Sequence, residues 1–235
     1  MIETAVGGYV RARNLLVEAR AAFDAIGYRL GMAQCDVVLG HADHRANEMD
    51  EARARTLAAR IAFRELQNPR GEAACERLLA MIAIDTTDYA AANAHATVAL
   101  KIYERLQDPW GELEARLLLA QVALARDDES AEALVRACGD ISLDEAEPRQ
   151  HRHLVNAWLA QKDARWNDAA AEIDKARAAF GDRARCGDHT PQLLHRLSKM
   201  TWLGPALSKI DAWLQLIESA NPDEAVSSQW PLSRR

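Results

Sequence analysis

Two stretches carry the key to the architecture: Phe63-Arg-Glu-Leu-Gln-Asn-Pro-Arg-Gly71 and Tyr103-Glu-Arg-Leu-Gln-Asp-Pro-Trp-Gly111. They are nearly the same peptide. An earlier version, Phe23-Asp-Ala-Ile-Gly-Tyr-Arg-Leu-Gly31, stands at the same spacing. The aromatic residues fall at 23, 63 and 103 and the glycines at 31, 71 and 111, a forty-residue period. Each junction reads as the end of one helix and the start of the next. Asn68 and Asp108 precede prolines, so they avoid the α region and stop a helix. The same side chains can accept from a free amide of the next helix, whose first position suits Pro69 or Pro109. Glu72 and Glu112 then stand in a first turn, where the helix dipole favours acids.

Between the junctions, each unit holds two helical segments. From Gly71, the run GEAACERLLAMIAID is followed by a short Thr-Thr-Asp turn and then by YAAANAHATVALKIYERL. Leu78, Leu79 and Ile82 share a face of the first segment, and Tyr89, Ala92, Ala96, Ala99 and Tyr103 a face of the second. The small residues let helix backbones approach closely. One hairpin of this size cannot bury its own apolar face, so neighbouring units must stack.

The composition agrees. The 235 residues include 46 Ala but only 3 Phe, 4 Tyr, 11 Gly and 7 Pro. Alanine is the best helix former, whereas sheets draw on β-branched and aromatic residues and on many tight turns. The expected class is all-α. Net charge is −6, which disfavours nucleic acid as a partner. No apolar run reaches the roughly 18 residues of a membrane helix, and the N-terminus lacks the pattern of a signal peptide, so no membrane role and a cytoplasmic location are expected. Cys35, Cys75, Cys138 and Cys186 form no CxxC pair and read as buried thiols. Cys35 and Cys75 hold equivalent places in adjacent units, about 10 Å apart as packed helices lie, which is too far for a disulfide.

The pattern resembles the tetratricopeptide repeat in its longer bacterial form, of roughly forty residues. Leu39-Gly40, Leu79-Ala80 and Leu119-Ala120 match the family's pair in the first helix. Ala52 and Ala59, Ala92 and Ala99, and Ala169 and Ala176 match its small positions in the second, with Trp166 in the place of Tyr89. The third unit departs from the pattern: Glu132 and Gly139 stand where Ala92 and Ala99 do, so its second helix is expected to be shifted or shortened, with a bend between Gly139 and Pro148. The resemblance implies a right-handed α-α superhelix over residues 1–181. Its parts are a half-repeat at 5–26 and repeats at 31–66, 71–106, 111–138 and 148–180. Capping helices are expected at 190–219 and a flexible tail at 220–235. The half-repeat lacks its first helix, which fits a piece of a longer array better than an unusual cap. Five of the six tryptophans (158, 166, 202, 213 and 230) lie late in the chain. They read as a more aromatic core, with a hydrophobic contact face as the alternative.

Chemistry is sparse. His41 and His44 share a helix face and are a candidate metal pair, but the ligand set is incomplete, and two polar residues on a solvated face explain them as well. No nucleotide loop, nucleophile elbow or zinc-protease motif occurs, so no catalytic residue and no cofactor are assigned. The resemblance implies a concave face lined by the first helices. Transferring its positions gives Gln34, Val37, His41, His44, Arg77, Met81, Leu117, Gln121, His151 and Trp158 as a groove for a protein or peptide. Trp158, Arg77 and Met81 are of the types enriched at binding hot spots. The Lys/Asn/Arg clamp for an acidic C-terminal tail is missing, which disfavours that partner. The leading expectation is a non-catalytic interaction or scaffold module within a larger bacterial signalling or transcription regulator, with self-association as a further expectation. Alternatives are a small-ligand sensor, and a metal-binding or enzymatic protein centred on His41 and His44.

Overall fold

The computed structural model describes residues 3–139, 146–179, 194, 197 and 209–215. Among them there is no strand. The helices are α1 (Glu3–Ala25), α2 (Arg29–Arg45), α3 (Met49–Glu65), α4 (Pro69–Asp85), α5 (Tyr89–Leu106), α6 (Pro109–Ala125), α7 (Ala131–Gly139), α8 (Ala146–Lys162) and α9 (Trp166–Ala178). Residues 209–215 are also helical. The period of the sequence is carried into the helix starts, at 29, 69 and 109 and again at 49 and 89.

The junctions fold for local reasons. Asn68 accepts from the Gly71 amide at 2.9 Å and Asp108 from the Gly111 amide at 3.1 Å, each with proline in the first turn. The repeated aromatic–glycine pair is a single contact. A Cβ on Gly71 would lie 2.3 Å from the Phe63 ring, and one on Gly111 would lie 2.2 Å from the Tyr103 ring. Glycine is there because the ring at the end of one helix rests on the backbone of the next. Most of the turns share a further device. Gly27, Asn47, Gln67, Thr87, Gln107 and Asp127 all have positive φ, evenly spaced at half the repeat period, and Ala164 follows after the irregular third unit. The next amide bonds back to a carbonyl five residues earlier, as Asn68 does to Phe63 at 2.9 Å, which closes each helix end.

Consecutive helices pack on one another from α1 to α9, and α2, α4, α6 and α8 also touch along a row. The first helices of the pairs form the inner layer. In α4 every residue from Glu76 to Ile84 is buried, whereas α3 buries only Ala52, Thr56, Ala59 and Phe63. The third unit is irregular: α7 starts at Ala131, two residues later than the period from Met49 and Tyr89 would place it. Residues 140–145, where a bend was expected, lie outside the described residues. Leu194, Leu197, Ile210 and Trp213 join Leu154, Trp158 and Ile173 in one core cluster, so at these positions the C-terminal segment packs onto α8 and α9. Residues 190–193, 195–196, 198–208 and 216–219, the tail at 220–235, Cys186 and Trp230 lie outside the described residues, and Trp202 with them.

Candidate functional site

The inner row carries a concentrated polar cluster, contributed by three different helices. The Arg77 guanidinium of α4 lies 5.0 Å from the centroid of the Trp110 ring and 3.7 Å from the Glu114 carboxylate of α6. Glu114 also receives His151 Nδ1 of α8 at 3.1 Å, and His151 Nε2 meets the Gln121 amide nitrogen at 2.6 Å. An amide nitrogen only donates, so Nε2 accepts and Nδ1–H is the donor to Glu114. Arg77, Glu114, Gln121 and His151 are all buried. In such surroundings a charge is tolerated because it is paired, and the pairing locks α4, α6 and α8 in register. A second link joins α2 to α4: His44 Nε2 and Asp85 Oδ2 lie 2.7 Å apart.

Seven of the ten expected groove residues are therefore interior. His44, Arg77, Met81, Leu117, Gln121, His151 and Trp158 are all buried, Met81 in a cluster with Ile84 and Val122, and Trp158 within the core shared by α6 to α9. Gln34 is exposed, and Val37 and His41 are half-buried. Of the ten, only these three, all on α2, are reachable from solvent. His41 and His44 are divided by environment, since His44 is spent on Asp85. Among the described residues no group of three His, Cys, Asp or Glu side chains is placed to hold a metal ion.

A repeated set of ion pairs escaped the sequence reading. Arg20 reaches Asp36 at 2.6 Å and, one repeat later, Arg60 reaches Glu76 at 3.1 Å. Within a pair, Arg55 lies 3.6 Å from Asp36 and His95 2.6 Å from Glu76. In α8 and α9 the same relation recurs with the charges exchanged, His153 to Glu172 at 2.7 Å. The recurring sequence separations, 16 for Arg20–Asp36 and Arg60–Glu76 and 19 for Arg55–Asp36, His95–Glu76 and His153–Glu172, were the available signal. Burial works to raise the Glu172 carboxyl, but hydrogen bonds from His153 and Lys175 outweigh it and hold the group at about 2. Glu76 is likewise lowered, burial being outweighed by His95 and Arg60. The buried Cys75 and Cys138 thiols are pushed up to about 12 by desolvation, which makes them poor nucleophiles.

The first unit differs from the interior. The large exposed apolar side chains among the described residues are Leu15, Val17, Ile26, Tyr28, Val38, Ile61 and Val98, and most of them fall between positions 15 and 38. Val38 is 48% exposed, whereas its equivalents Leu78 and Leu118 are 0% and 1% exposed. Tyr28 stands where Asn68 and Asp108 cap later helices, and it makes no capping bond.

No protein-family model, curated protein or solved structure matches this chain.

Proposed function

We propose that the chain is a non-catalytic helical-repeat interaction module, a right-handed superhelix of tetratricopeptide-like units serving a larger cytoplasmic regulator. The observation that supports it is the row of first helices, α2, α4, α6 and α8, which among the described residues leaves at α2 a reachable strip of mixed character: Gln34, Val37, Val38 and His41. The strip suits an amphipathic protein segment, since Val37 and Val38 offer apolar contact beside the amide of Gln34 and the imidazole of His41. Cys35, Cys75 and Cys138 are all buried, which suits structural thiols.

The test is a photo-crosslinking residue placed at Gln34, with a control at the exposed Ala171 on α9. Adducts to a discrete protein from position 34 alone support the reading. Adducts from neither position, together with thermal stabilisation by a small metabolite, turn it to the sensor alternative.

A further inference from the structure

We draw no further inference here: the strongest candidate, the exposed apolar face of α1 with Leu15 and Ile26, supports no proposal because nothing in the structure shows what covers it.

Discussion

Helices α2 and α4 occupy equivalent places one repeat apart, yet their surroundings are opposite. From Glu76 to Ile84, α4 is buried on all sides, because α2, α3, α5 and α6 all touch it. On α2 the side that would meet a preceding first helix is open, and Val38 and Gln34 are exposed there. The two helices share a sequence pattern and differ in neighbours. In a stacked array, burial is a property of position in the stack, so the energetic weight of a repeat position rises from the first unit inward.

Paired substitutions at matching positions put that contrast at risk, each followed by denaturant unfolding. The largest effect is expected for Glu114→Ala, about 3–5 kcal/mol destabilising, since the buried Arg77 and His151 lose their carboxylate. Gln34→Ala, at the equivalent place on α2, is expected within about 0.5 kcal/mol of the parent. Leu118→Ala follows at about 2–5 kcal/mol, whereas Val38→Ala stays within about 0.5 kcal/mol. If Val38→Ala costs as much as Leu118→Ala, something covers the first unit in solution and the contrast fails. Gly71→Ala and Gly111→Ala come next, at about 1–3 kcal/mol, because the ring above the backbone must move. Gly31→Ala is expected to cost less, since Phe23 and Tyr28 are only partly covered and have room to shift. The caps come last of the paired losses, about 1 kcal/mol each for Asn68→Ala and Asp108→Ala, while their counterpart Tyr28→Ala removes no capping bond.

The junction peptides were legible because their causes are local. A proline, an Asn or Asp three residues before the donating amide, and a glycine eight residues after an aromatic act within one turn and the next. The departure of the third unit was legible too. Glu132 and Gly139 break the small-residue pattern, and α7 starts two residues late. The candidate surface was much less legible. Arg77, Glu114, Gln121 and His151 look like an amphipathic helix's polar face when each helix is read alone. They come from three helices, and only their meeting shows that they satisfy one another inside the chain. The Asp36–Arg55 and Glu76–His95 pairs lay between these cases: their spacing repeats in the sequence, but nothing in one helix names its partner.

Local sequence was enough to dictate the helices, their period, their caps and the glycines under aromatic rings, because each rests on interactions between residues close along the chain. Packing of the units settled which polar residues are paired and which apolar residues remain in water. Those outcomes depend on whether a neighbouring helix is present, and the same position is core in Leu78 and surface in Val38 for that reason.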